Sequence, residues 1–203
     1  MAINRFSQST AQSAFPKFTN LWDGTTATSA FDSLGAFTLG AATSSITFSN
    51  IPQTYTHLQI RGLSRCSRAA VFANIIQFQF NNDVTDANYY NSHRIHGDGT
   101  TASAIAIADT GAAGIWGGVS FSDSALANSF GAFITDILDY TNTNKYKNTR
   151  SLQGLDDNNG SYPEVRMVSG LWKNASAINR ITLVDNTGTN FQPYSSYALY
   201  GIK

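Results

Sequence analysis

From residue 35 onward, apolar and polar residues alternate along the chain with a period of two. The alternation is clearest in Ile76-Gln77-Phe78-Gln79-Phe80, where apolar side chains would face one side and amides the other. Successive side chains of a β-strand point to opposite faces, so this pattern predicts strands with one buried face. Other stretches with strand character lie at 46–48, 55–61, 89–96, 103–108, 130–140, 149–153, 164–172, 177–184 and 195–202.

Residues that suit tight or left-handed backbone separate these stretches. They include Asn50, Asn81-Asn82-Asp83, Gly97-Asp98-Gly99 and the turn 186–188. The best helix candidate is short, at 64–74. Eight or more short strands with regularly spaced turns are typical of β-sandwiches and jelly rolls, and 203 residues suit one such domain. We therefore expect an all-β fold, an antiparallel β-sandwich or jelly-roll-like single domain spanning 35–203.

Residues 1–34 follow neither the strand period nor the helix period, and we expect them to form an extended N-terminal arm. The segment is rich in Ser, Thr, Gln and Asn, and large side chains occur in it singly. Such a segment could lie on another protein with each large side chain in a pocket, or it could cover its own domain. Both readings stay open. The residues expected to make these contacts are Phe6, Phe15, Phe18, Leu21 and Trp22.

The charge balance excludes one class of partner. Lys plus Arg and Asp plus Glu number 13 each, so the formal net charge is zero and no basic surplus is present to neutralise nucleic-acid phosphates. A net charge near zero also gives little repulsion between copies, which suits a protein that assembles. The single Cys66 allows no intramolecular disulfide. Because no signal peptide and no apolar membrane-spanning run are evident, we expect synthesis in the cytoplasm and no membrane insertion.

Side chains that could perform chemistry are few. His93 and His96 are three residues apart and would point to opposite faces of a strand, as would Asp136 and Asp139. Neither pair converges on one metal ion or one scissile bond. The acidic loop 156–160 lacks the glycine and the terminal glutamate of a calcium-binding loop. With no nucleophile elbow or phosphate-binding loop in the sequence, we expect no enzyme activity, no cofactor and no metal.

Aromatic residues suggest binding instead. Tyrosine and tryptophan side chains can stack on sugar rings or fill pockets at a protein interface. The alternative for each is a place in the sandwich core. The candidates for surface contacts are Tyr89, Tyr90, Trp116 and Tyr162.

Four blocks of sequence resemble a known group of proteins. They are 45–58; Phe80-Asn81-Asn82-Asp83 with Tyr89-Tyr90; Ile137-Leu138-Asp139-Tyr140 leading to Lys145 and Lys147; and 177–183 with the closing 195–203, which contains Leu199-Tyr200-Gly201-Ile202. In this order they resemble a group of tailed-bacteriophage virion proteins, often from marine and cyanobacterial phages, that end in a Leu-Tyr-Gly-Ile-type strand. The resemblance covers about residues 35–203 and leaves the arm outside.

The resemblance implies a structural component of the virion, made in the cytoplasm of a bacterial host, and brings no catalytic residue with it. Our first hypothesis is a capsid decoration or cement protein that binds the particle through its arm and its subunit contacts. Its partners would be the major capsid protein or tail proteins, and we expect a homo-oligomer, with a trimer favoured. The second hypothesis is a tail- or fibre-associated module that recognises a host glycan. The third is a polysaccharide hydrolase.

Overall fold

The computed structural model describes residues 30–106, 113–156 and 163–203, and nearly all regular structure in them is β. One short 3₁₀ helix, Asp86–Asn88, precedes the fifth strand. The strands are β1 Phe31–Thr38, β2 Ser45–Phe48, β3 His57–Ser64, β4 Ala73–Phe80, β5 Tyr89–Gly97, β6 Ala102–Ala106, β7 Ile115–Phe121, β8 Gly131–Ile137, β9 Lys147–Leu155, β10 Glu164–Trp172, β11 Ile181–Asp185 and β12 Ser196–Ile202.

Two antiparallel sheets of unequal size pack face to face. The large sheet has eight strands in the order β1-β12-β3-β8-β9-β10-β5-β6, and the small sheet has four in the order β2-β11-β4-β7. The predicted all-β sandwich is therefore confirmed. Because four strands cannot cover eight, the small sheet leaves part of the inner face of the large sheet without a facing strand.

The core lies between the sheets and is rich in aromatic rings. Trp172 packs edge-on against Phe80, with ring centroids 5.5 Å apart, and its indole N–H donates to Asp83 Oδ2 at 2.8 Å. Tyr89 is buried beside them: its hydroxyl accepts from the Phe80 N–H at 2.9 Å and donates to the Asp83 carbonyl oxygen at 2.8 Å. The phenol and indole polar groups are thus paired, so large rings can be buried without losing hydrogen bonds.

Hydroxyl groups fasten the small sheet to the large one along β7. Ser151 on β9 donates to the Gly117 carbonyl at 3.1 Å, and Thr135 on β8 bonds to the same oxygen. Ser64 on β3 lies 2.8 Å from the Ser120 hydroxyl and 2.6 Å from that of Tyr197. These contacts fix β7 over the middle strands of the large sheet.

The prediction of a helix at 64–74 is wrong. Arg65 and Cys66 form isolated β-bridges instead, and Ala70 has a positive φ of 61°. The Arg65 guanidinium donates to several backbone carbonyls, including those of Leu126 at 2.9 Å and Ala125 at 3.1 Å. The segment has to carry the chain from the large sheet to the small one, and this crossing overrides its local helical preference.

Several expected turns are confirmed by their backbone angles. Asn81 and Asn82 have φ values of 52° and 59°, Asn50 has 54°, and Gly99 and Gly188 have 89° and 74°. Residues 177–180, expected in a strand, are instead loop. The Asn81 amide holds this loop, donating to the Ala177 carbonyl at 2.8 Å and accepting from the Asn179 N–H at 2.9 Å. Strand β7 was not expected.

The compact β unit comprises Phe31–Lys203. Strand β1 begins at Phe31 and pairs with β12, four residues before the expected start of the domain at 35. The contact residues predicted in the arm, Phe6, Phe15, Phe18, Leu21 and Trp22, lie outside the described residues.

Candidate interaction surface

The outer face of the large sheet, which points away from the small sheet, carries a continuous apolar patch. Strand register places its members side by side in two rows. One row runs through Ala198, Arg61, Ile134, Leu152, Met167 and Ile95; the other runs through Ser196, Leu63, Ala132, Gly154 and Val165. The large side chains of the patch are 41–60% exposed, where a sheet that faces water usually carries polar residues. We call these two rows the apolar patch.

The patch is slightly concave. A groove of about 560 Å³ lies over β12, β3, β8 and β9 and is lined by residues that include Leu63, Ile134, Leu152 and Val165. Small side chains make this depression, because Ala132 and Gly154 stand between larger neighbours on adjacent strands. The surface therefore has relief that a partner of complementary shape could fill.

A polar row borders the patch on the same face. Asp136 accepts from Gln59 Nε2 at 2.7 Å and forms an ion pair with Arg150 at 2.9 Å. Arg61 donates to the Gln59 side-chain carbonyl at 2.8 Å, and its guanidinium lies 4.9 Å from the centroid of the Tyr200 ring. These charges are paired with each other and leave the apolar patch uncharged apart from Arg61.

The carboxylates and histidines singled out in the sequence lie apart from one another. Asp139 follows β8 at a positive φ of 47° and pairs with Lys145; the hydrogen bond and charge of Lys145 hold the pKa of this carboxyl below its ordinary value. Its backbone N–H donates to His57 Nδ1 at 2.9 Å. His93 and His96 lie on opposite faces of β5, as predicted. Among the described residues no three His, Cys, Asp or Glu side chains are grouped so as to hold a metal ion.

The four aromatic candidates divide. Tyr89 is a core residue, so its prediction as a surface contact is wrong: its hydroxyl finds both hydrogen-bond partners inside the sandwich. Tyr90 is exposed on the outer face, with the Lys173 ammonium 5.8 Å from its ring centroid. Trp116 is half-buried at the β7 edge of the small sheet. Tyr162 lies outside the described residues.

Sequence reasoning missed the apolar patch, although a signal for it is present. In Val165-Arg166-Met167 the alternation has the opposite sense to the rest of β10, because Val168 and Trp172 point inward. Counting back in steps of two from these core residues would have placed Arg166 inside and both apolar neighbours outside. The adjacent pair Phe133-Ile134 gives the same signal on β8, since one of them must face outward.

These features define a class: an antiparallel β-sandwich with an exposed apolar sheet face, in whose described part no three His, Cys, Asp or Glu side chains are grouped so as to hold a metal ion. No protein-family model, curated protein or solved structure matches the chain, so the comparisons assign it to no family. In the part of the chain that the structure describes, no helix is both long and apolar enough to cross a membrane.

Proposed function

We propose that this protein is a structural component of a bacteriophage particle, a capsid decoration protein whose arm and outer sheet face contact neighbouring protein subunits. The observation that carries the proposal is the apolar patch. Exposed apolar patches of several hundred Å² on a soluble domain mark interaction sites. The resemblance of residues 35–203 to virion proteins supplies the particle as the place of assembly.

The size of the outer face supports contact with a protein. Eight strands about 4.8 Å apart and about seven residues of 3.3 Å give a face of roughly 770 Å². A standard protein interface buries about 800 Å² on each partner. The zero net charge supports the same role, because copies packed on a particle would not repel one another.

The test measures binding of the full chain to capsids of the encoding phage prepared without this protein. Leu152→Lys places a charge in the middle of the apolar patch, where the residue is already half exposed, so folding should be unaffected. We expect its occupancy on capsids, measured by co-sedimentation, to fall at least tenfold below that of the unchanged protein. The matched comparison is Asn148→Lys, which adds the same charge on the same strand and face outside the apolar patch, so its occupancy should fall less than that of Leu152→Lys.

The arm is tested in the full chain by replacing Phe15, Phe18 and Trp22 with serine. A deletion to residue 33 would remove the first residues of β1, which pair with β12, so substitution is the cleaner change. We expect the triple variant to keep the melting temperature of the sandwich and to lose capsid occupancy. The proposal is wrong if the Leu152→Lys and arm variants both decorate capsids as fully as the unchanged protein, or if an image reconstruction of the particle holds no density for this chain.

A further inference from the structure

A second cluster of interest lies on the inner face of the large sheet, beside the edge of the small one, where the side chains of Arg166 and Glu164 are only 14% and 11% exposed. The small sheet ends at β7, which bonds to β8 and β9 through the Gly117 and Trp116 carbonyls. Strands β10, β5 and β6 continue the large sheet past this edge. Here Gln153, Arg166 and His96 are direct cross-strand neighbours. Arg94 lies two residues from His96 on the same face, opposite the buried Val168.

Among the described residues, positive charge exceeds negative charge at this place. Arg166 forms an ion pair with Glu164, two residues away on the same face of β10. Arg94 forms no ion pair with any described residue. Burial and then the charge of Arg166 lower the pKa of Arg94, and the charge of Glu164 opposes them. Among the described residues, two guanidinium groups therefore share the carboxylate of Glu164.

Three nitrogen atoms in the cluster are buried without a hydrogen-bond partner: Nε of Arg94, Nε of Arg166 and Nδ1 of His96. A buried polar group left unpaired costs about 1–3 kcal/mol, so native structures seldom leave several together. All three belong to side chains that the strand register makes neighbours. An acceptor with several oxygen atoms and a negative charge is the kind of group that binds such nitrogen atoms.

We propose that Arg94, His96 and Arg166 form a binding site for an oxyanion group, a carboxylate, phosphate or sulfate carried by a ligand. A guanidinium presents its N–H donors as a planar fork that matches two oxygens of such a group. The site does not depend on the particle role proposed above and lies on the opposite face of the sheet from the apolar patch.

The experiment follows the Nε–Hε signals of arginine by NMR while the full-length protein is titrated with sodium phosphate, sodium sulfate or sodium acetate at constant ionic strength set by sodium chloride. We expect the Arg94 and Arg166 signals to shift and saturate with at least one of these anions. The three titrations distinguish a tetrahedral dianion from a planar carboxylate as the preferred group. The control signal is that of Arg150, which is exposed on the outer face and paired with Asp136.

Two substitutions should change anion binding in opposite directions. Arg94→Lys keeps the charge but loses the planar fork of donors. It should lower the affinity for the anion that binds by about tenfold. Glu164→Gln removes the competing carboxylate and should tighten binding several-fold, which a purely structural arginine pair would not predict. Unsaturable or absent shifts of Arg94 and Arg166 in the unchanged protein would overturn the proposal, as would binding that neither substitution alters. If Arg94→Lys fails to fold, the titration of the unchanged protein and of Glu164→Gln still decides.

Discussion

Lys147 is a fully buried ammonium group that holds two loops together, and replacing it should destabilise the sandwich. Its Nζ donates to three backbone carbonyl oxygens: those of Lys145 at 2.9 Å, Ala175 at 3.0 Å and Asn142. The first and last belong to the turn between β8 and β9, and Ala175 follows β10. One side chain thus uses all three of its N–H groups to join the two segments.

The expected cost follows from this geometry. Lys147→Met keeps the length of the side chain but leaves three carbonyl oxygens without their donor. Each carbonyl oxygen that stays buried and unpaired costs about 1–3 kcal/mol. Burial of the charge lowers the pKa of Lys147, which means that the protein also spends free energy on desolvating the ammonium, and the substitution recovers this part. Water can reach some of the freed carbonyls near the surface. We expect a net loss of about 3 kcal/mol in the free energy of unfolding.

Urea unfolding followed by tryptophan fluorescence measures this loss. With a slope of about 2 kcal/mol per molar urea, the midpoint should fall by about 1.5 M. For a domain of this size the melting temperature should drop by roughly 6–12 °C. The matched control is Lys145→Met, two residues away, whose side chain is 53% exposed and pairs with Asp139. An exposed ion pair of this kind contributes under about 1 kcal/mol.

Equal stability of Lys147→Met and the unchanged protein would refute the reasoning. It would mean that burying the ammonium costs as much as its three hydrogen bonds supply. A loss in Lys145→Met as large as in Lys147→Met would also refute it, because the effect would then belong to the loop charge and not to the buried contacts.

Three further predictions concern the core and one turn. Gly62→Ala should cost about 1–3 kcal/mol in thermal unfolding, because a Cβ there would lie 2.4 Å from Phe133 Cζ; Gly154→Ala, with nothing within 4 Å, is the tolerated control. Trp172→Phe removes the 2.8 Å bond to Asp83 and should cost about 1–3 kcal/mol. Although burial favours the neutral acid, hydrogen bonds from Trp172, Thr85 and Asn88 hold the pKa of Asp83 below 3.8, so a carboxyl NMR titration of Trp172→Phe should show it raised. The backbone N–H groups of Thr101 and Thr100 hold the pKa of Asp98 far below 3.8, so its contribution to stability is present above that pH and is lost as pH falls toward the lower value. The difference in melting temperature between Asp98→Asn and the unchanged protein should therefore shrink in acid; a difference independent of pH would contradict this.

The strand period was enough to predict the sandwich, because the alternation in Ile76–Phe80 and in similar stretches indicates strands with one buried face. It was not enough to find β7. This strand contains Gly117-Gly118, and a Cβ at Gly117 would lie 2.5 Å from the Phe78 ring. The glycines are there because rings from other strands occupy that space, and this information is long-range. The same limit hid the cationic cluster, since His96 and Arg166 are 70 residues apart in sequence and meet only through the pairing of β5 with β10.

Both proposed sites depend on which residues of β10 point inward and which point outward. The inward direction of Trp172 and Val168 fixes β10, and every second residue before them, Arg166 and Glu164, must then face the inner side. Met167 and Val165 are consequently outside, beside Leu152 and Ile95. A shift of one residue would turn Glu164 and Arg166 outward and Val165 and Met167 inward, but it would also turn Val168 and Trp172 out of the core. The buried Trp172 and its bond to Asp83 prevent that shift. The strand therefore keeps apolar side chains in water and arginines under partial cover, and the two partners that we propose, a protein surface outside and an oxyanion inside, would each relieve one of these unfavourable placements.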